Sequence, residues 1–147
     1  MKVKEIPGSL FHTIRLLLMS KKNLKKQSLE TLPIIVSLTS IPSRFKTLHI
    51  TIRSLLSQDS KPEKIILWLN SSLKDHIPSS LSSLQGDIFK IKFTDLDCPH
   101  CKLVPTIQNY PNKTIVTCDD DFIYDSMLLS NLYSEHLEKK DKIIANK

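Results

Sequence analysis

Glycine is almost missing from this chain. Its 147 residues include two, Gly8 and Gly86. A G-x-G-x-x-G turn or a Walker loop needs several glycines, so that backbone can close on phosphate oxygens. Their absence excludes a dinucleotide-binding Rossmann site and a P-loop ATPase. Long apolar runs are missing too. Leu16, Leu17, Leu18 and Met19 make only a short run behind Arg15, with no small-residue cleavage site after it. That is neither a signal peptide nor the roughly 20 residues needed to cross a bilayer. Cysteine is scarce and odd in number: Cys98, Cys101 and Cys118. The expectation is a cytosolic, reducing location and free thiols.

What is present suits one soluble globular domain. Apolar residues are 40% of the chain and charged residues 24%, enough for a real core within an ordinary surface. The net charge of +6 is unevenly placed. Residues 1–30 hold seven bases against two acids, and the other 117 residues hold fourteen against thirteen. Basicity therefore belongs to an N-terminal arm, residues 1–32, and not to the domain over 33–147. A nucleic-acid partner is not expected, because that function wants a basic face on the folded body. Within the arm, Leu10, Ile14, Leu17 and Leu18 recur at helical spacing, which predicts a basic amphipathic helix over 9–29. Such a helix either packs on the domain edge or lies on the inner face of an anionic membrane as a peripheral contact. Pro33 marks the boundary.

Beyond it, apolar strands and helical patterns alternate. Strands are predicted at 34–39 (IIVSLT), 65–69 (IILWL), 88–93, 114–118 (TIVTC) and 142–145. Pro62 breaks the chain before the second. Helices are predicted at 44–57, 100–109 and 126–139, the last with Leu128, Leu129, Leu132, Tyr133 and Leu137 inward. Residues 71–84 read as a poor helix. This alternation predicts an α/β fold with a largely parallel sheet. Ligands of such sheets sit at the carboxyl ends of the strands, near the switch in strand order.

Chemistry concentrates there. Asp119, Asp120 and Asp121 follow the TIVTC strand directly. Three adjacent carboxylates repel one another unless a cation or hydrogen bonds offset the charge. In extended backbone alternate side chains share a side, so Asp119 and Asp121 converge while Asp120 points away. Two hard carboxylates suit Mn²⁺ or Mg²⁺, with waters and phosphate oxygens completing the shell. The plainer alternative is an acidic loop or helix start. After the first strand come Thr39, Ser40, Pro42, Ser43 and Arg44, hydroxyls and a guanidinium fit for a nucleotide, or else a turn in which Ser43 caps the next helix. Cys98-Pro99-His100-Cys101 lacks the second spaced ligand pair of a structural zinc site. It also follows the third strand, not the first, as a thioredoxin-like motif would. Incidental thiols are the simpler reading.

Taken in order, these segments resemble one family. Ile35-Val36-Ser37-Leu38-Thr39-Ser40-Ile41-Pro42-Ser43-Arg44-Phe45, then Pro62-Glu63-Lys64-Ile65-Ile66-Leu67-Trp68-Leu69, then Lys102-Leu103-Val104-Pro105-Thr106, and finally Thr114 to Tyr124 through the Asp triad, look like the bacterial GT-A-fold glycosyltransferases of the family-2-like, Asp-x-Asp type. The match runs from about residue 33 to 147. It implies a Rossmann-like nucleotide-sugar-binding domain. In that family's pattern Asp119 and Asp121 hold Mn²⁺ or Mg²⁺ against the donor diphosphate. Thr39, Ser40 and Arg44 line the nucleoside pocket, Asp97 and Lys102 lie near base, ribose or phosphates, and Asp120 reaches the sugar or ribose. The donor is a nucleoside diphosphate sugar, with a UDP-sugar favoured. The acceptor is a surface-glycan or lipopolysaccharide-type molecule.

Two departures stand out. Cys98-Pro99-His100-Cys101 replaces a loop in which the family has glycine. The family's acceptor-binding half, with the base of its inverting members, follows the Asp-x-Asp segment, so only the N-terminal part is expected here and the catalytic base lies beyond the C-terminus. Competing readings are a non-catalytic binding or membrane-associated module with a structural acidic cluster, and an Mg²⁺-dependent aspartyl phosphatase. The phosphatase pattern puts its Asp-x-Asp on the first strand and continues with Gly-Thr, whereas Phe122-Ile123 follows here.

Overall fold

A computed structural model of the chain describes residues 8–26, 31–96, 99–139 and 142–145. Four strands, β1 (Thr31–Thr39), β2 (Lys61–Asn70), β3 (Phe89–Thr94) and β4 (Thr114–Thr117), form one all-parallel sheet in the order β3-β2-β1-β4. The helices are α1 (Gly8–Leu18), α2 (Lys21–Lys25), α3 (Phe45–Leu56), α4 (Ser79–Ser82), α5 (Val104–Asn109) and α6 (Leu128–Glu138). This is the expected Rossmann-like α/β architecture. From β1 the chain steps outward to β2 and β3, then returns to place β4 on the other side of β1. The order therefore reverses between β1 and β4.

Alternation along the strands divides the core. Ile34, Val36 and Leu38 of β1 and Ile65, Leu67 and Leu69 of β2 face a layer built from Leu24 of α2, Leu48, Ile52, Leu55 and Leu56 of α3, Leu81 of α4 and Leu129 of α6. Ile35, Ile66 and Trp68 point the opposite way and meet Tyr110, just past α5. Parallel strands covered on both faces must be apolar throughout, and the central stretches of β1 and β2 are.

Some expectations need correction. Neither Pro33 nor Pro62 ends a strand. Pro62 pairs with Leu32 near the start of β2, and the β1–β2 register shifts between Leu32 and Ile35. The irregularity absorbs the N–H that Pro33 lacks. The serine-rich stretch is a 3₁₀ turn (Ser71–His76) followed by α4, interrupted at Pro78. Asn70 caps the first piece by accepting from the Ser72 N–H at 3.0 Å. Pro105 sits in the first turn of α5, where a missing N–H costs nothing. Ser43 caps no helix: α3 begins after a 3₁₀ turn (Pro42–Arg44), with no side-chain cap. Residues 142–145 are not a strand, and Ile143 is fully exposed. Leu137 also faces solvent, half exposed.

The basic segment forms two helices and not one, with Ser20 accepting from the Asn23 N–H at the start of α2; residues 27–30 lie outside the described residues. Both helices pack on the body. Leu16 inserts against Ile50 and Ile123. Arg53, itself buried, donates to the carbonyls of Leu16 (2.8 Å) and Met19 (3.0 Å), closing the C-terminal end of α1. Lys61 does the same for α2, donating to Leu24 O at 2.9 Å and Lys26 O at 2.5 Å. A cation at a helix C-terminus satisfies orphan carbonyls and complements the dipole. Burial lowers the pKa of both. No described helix is long and apolar enough to cross a membrane.

Candidate functional site

Two loops meet where the strand order reverses. One follows β1 and carries Ser40 and Arg44. The other follows β4 and carries the Asp triad. The Cys118 N–H donates to Ser37 O at 2.9 Å, extending the β1–β4 pairing to the last residue before Asp119. Past the end of β4 the chain bends at Asp120 and Asp121, and the three carboxylates part by side. Asp120 turns inward and is buried. Its carboxylate accepts from Ser40 Oγ at 2.5 Å and pairs with Arg44 Nη1. Its carbonyl accepts from Thr51 Oγ1 of α3 at 3.1 Å. Asp119 and Asp121 turn outward, their side chains 61% and 41% exposed.

The two outward carboxylates are met by cations from different elements. Lys102 Nζ lies 2.7 Å from Asp119 Oδ1, and Arg44 Nη1 lies 3.6 Å from Asp121 Oδ2. The hydrogen bond and charge of Asp120 raise the Arg44 pKa, against a smaller lowering by burial; Asp121 and Asp119 add to the rise. Asp119 is further fixed by Tyr124, whose hydroxyl accepts from the Asp119 N–H at 2.8 Å and donates to its carbonyl at 3.0 Å. Burial, foremost, raises the Tyr124 pKa, and burial pushes the Cys118 thiol up to about 12. Neither group titrates near neutrality, and Cys118 is an inert core thiol.

Lys102 reaches the site from a segment anchored on the back of the sheet. Its carbonyl accepts from Ser37 Oγ and from Thr106 Oγ1, the latter at 3.2 Å. Thr106 is fully buried and lies 2.7 Å from both Ser37 Oγ and Trp68 Nε1. Thr39 joins the same face by donating to Trp68 O at 2.9 Å. This network was not visible in the sequence as a site. Its one signal is a threonine directly after proline in the Lys-Leu-Val-Pro-Thr segment.

Of the residues expected to bind a nucleotide sugar, Ser40, Arg44 and Asp120 form one cluster, with Asp121 at its rim and Lys102 paired to Asp119. Thr39 stands apart, bonded to β2. Asp97 lies outside the described residues, as does Cys98. Cys101 Sγ donates to Leu96 O at 3.1 Å.

Among the described residues no group of three or more His, Cys, Asp or Glu side chains is arranged to hold a metal ion. A hard divalent ion bound largely by water and phosphate asks for only one or two carboxylates. Asp119 and Asp121 fit that role in chemistry and exposure, whereas the carboxylate of Asp120 is already committed. Compared with known proteins, the chain matches no protein-family model and no curated protein.

Proposed function

We propose that this chain binds a nucleoside diphosphate sugar together with a divalent cation, as the donor domain of a GT-A-type glycosyltransferase. One observation carries the reading. The outward pair Asp119 and Asp121 and the cations Arg44 and Lys102 gather at the carboxyl edge between β1 and β4, where the strand order reverses. Open α/β sheets bind their ligands in the crevice at that point. The motif order that resembles the glycosyltransferases supplies the identity of the ligand.

In this reading Asp119 and Asp121 would hold Mn²⁺ or Mg²⁺. Such an ion, when bound, supplies Lewis-acid stabilisation of the charge on a departing diphosphate. Arg44 and Lys102 offer hydrogen-bond donors to phosphate oxygens. Three carboxylates against two cations leave the cluster at −1, which repels a bare diphosphate. Nucleotide binding should therefore require the divalent cation.

Calorimetric titration with UDP and GDP, with and without Mn²⁺, tests this. The expected result is binding in the presence of Mn²⁺ only, with UDP the better ligand, abolished by Asp119→Ala/Asp121→Ala at an unchanged melting temperature. A folded chain that binds neither nucleotide under either condition would overturn the proposal. An acceptor of surface-glycan or lipopolysaccharide type is part of the same reading.

A further inference from the structure

The solvent face of α1 is apolar. Leu10, Phe11, Ile14, Leu17 and Leu18 are 56%, 71%, 48%, 46% and 81% exposed. At 100° per residue these five cover roughly 120° of the helix circumference. Leu16, on the opposite side, is the residue that enters the body. The amphipathic pattern is therefore turned outward. The wider apolar stripe looks away from the domain, and Leu16 with the Arg53 bonds to the Leu16 and Met19 carbonyls holds the helix down. Half-exposed leucines occur singly on any surface, but five large apolar side chains on one short helix form a patch that marks an interaction site.

Charge around the stripe selects the partner. Residues 8–26 contain Arg15, Lys21, Lys22, Lys25 and Lys26 and no acidic residue. Arg15 flanks the stripe and lines a shallow apolar depression with Phe11, Ile14, Leu18 and Met19. Lys21, Lys22 and Lys26 are exposed on α2 and at its end. A second copy docked stripe to stripe would bring two sets of five cations together. An anionic lipid surface meets both features at once, taking the apolar stripe into the acyl boundary and the cations at the headgroups.

We infer that α1 and α2 form a peripheral membrane anchor that docks on anionic bilayers through Leu10, Phe11, Ile14, Leu17 and Leu18. The anchor is rigidly coupled to the domain, because Arg53 and Lys61 of the body bind the last carbonyls of the two helices. It also lies beside the candidate site: Leu16 packs on Ile123, two residues after Asp121. Docking stands on these helices alone and does not depend on the donor reading. If both hold, the acceptor is met at the lipid surface.

Flotation of the full chain with phosphatidylcholine vesicles, and with phosphatidylcholine–phosphatidylglycerol vesicles, tests the anchor. The wild-type chain should float with the anionic vesicles, fail to float with the neutral ones, and be released by high salt. Phe11→Ser/Leu18→Ser should abolish flotation. Lys21→Gln/Lys22→Gln should weaken it by about fivefold per charge, near 25-fold together. All four positions are exposed, and circular dichroism with a melting curve checks that each variant folds. Failure of the folded wild-type chain to float would overturn the inference, as would flotation indifferent to the stripe variant. A dimer in sedimentation velocity that Phe11→Ser/Leu18→Ser makes monomeric would assign the stripe to a second copy instead. UDP titration of the same preparations reads the donor site separately.

Discussion

Asp120 and its two neighbours offer a sharp test, because identical side chains in consecutive positions should behave as different objects. Replacing Asp120 with alanine removes a charged acceptor from a buried hydroxyl, Ser40 Oγ at 2.5 Å. A hydrogen bond to a charged group contributes about 1.5–3 kcal/mol. The pair with Arg44 adds little, since the arginine side chain is 44% exposed and such pairs are worth at most about 1 kcal/mol. Relief of repulsion from Asp119 and Asp121 works in the other direction. The net expectation is a loss of about 2–3 kcal/mol. At about 3 °C per kcal/mol for a domain of this size, the melting temperature falls by about 6–9 °C. Asp119→Ala and Asp121→Ala remove exposed carboxylates and should stay within about 0.5 kcal/mol of wild type.

Differential scanning calorimetry on the three single variants checks this directly. A double-mutant cycle sharpens it. Ser40→Ala alone leaves the buried carboxylate short of a donor, so Ser40→Ala/Asp120→Ala should cost less than the sum of the singles, with a coupling of about 1–2 kcal/mol. An Asp120→Ala variant as stable as wild type would refute the reasoning. So would Asp119→Ala proving equally damaging, since the contrast between a buried Asp120 and an exposed Asp119 would then be wrong.

Other consequences follow from the supports around the site. Thr106→Val strips the partner from Trp68 Nε1 while Ser37 Oγ keeps its bond to the Lys102 carbonyl, leaving one buried donor unpaired at a cost of about 1–3 kcal/mol; the emission of Trp68, the only tryptophan, should shift, and an unchanged spectrum and stability would contradict the network. Arg53→Met removes the bonds to Leu16 O and Met19 O, so amide exchange should rise across residues 8–19 while β1 and β2 stay protected; uniform exchange across the chain would show that Arg53 holds more than α1. His49 is held below its ordinary pKa, first by burial and then by the charge of Arg53, against a smaller raising by a hydrogen bond to the Lys46 backbone. The unfolded chain therefore takes up a proton below about pH 6.5 that the folded chain resists, so this contribution is intact above that pH and is lost as pH falls toward the folded value. Urea denaturation at pH 7.5 and 5.5 should show a smaller acid loss for His49→Gln than for wild type, and equal losses would rule it out.

The sheet was legible because its signal is local. Ile34 to Leu38 and Ile65 to Leu69 are apolar at every or nearly every position, as a strand covered on both faces requires. Strand alternation led to the expectation that Asp120 parts from Asp119 and Asp121, but β4 ends at Thr117 and the chain bends at Asp120 and Asp121, so the separation goes with the bonds of Asp120 to Ser40 and Arg44. What stayed hidden depends on partners far away in sequence. Pro33 and Pro62 read as breaks because nothing nearby shows that a register shift accommodates them. Arg53, Gln58 and Thr106 look like surface residues by type, yet each is buried on bonds to other segments: Arg53 to the carbonyls of Leu16 and Met19, Gln58 to Asp125 O and the Leu129 N–H, Thr106 to Ser37 and Trp68. Leu137 and Ile143 kept the spacing of core residues but have no layer to enter. Ser40 and Arg44 show the same limit at the site. Hydroxyl and guanidinium suit a phosphate, and they suit an internal carboxylate equally well.

That ambiguity decides which variants can speak about function. Asp120 ties the loop after β1 to the loop after β4, and Thr106 ties the Lys102 segment to the sheet. Damage at either position displaces Arg44 or Lys102 without touching any ligand. A nucleotide-binding defect in Asp120→Ala or Thr106→Val is thus expected on any reading that uses the cluster, and identifies no contact. Asp119 and Asp121 are different. Their side chains are exposed, and among the described residues they pair with Lys102 and Arg44 alone. Removing them should leave the melting temperature unchanged and free both cations. If the site takes a bare anion, Asp119→Ala/Asp121→Ala should then bind UDP better in the absence of Mn²⁺. If it takes a diphosphate with its cation, the same variant should lose the Mn²⁺-dependent binding. The sign of that one change separates an anion site from a metal–nucleotide site, whichever sugar is attached.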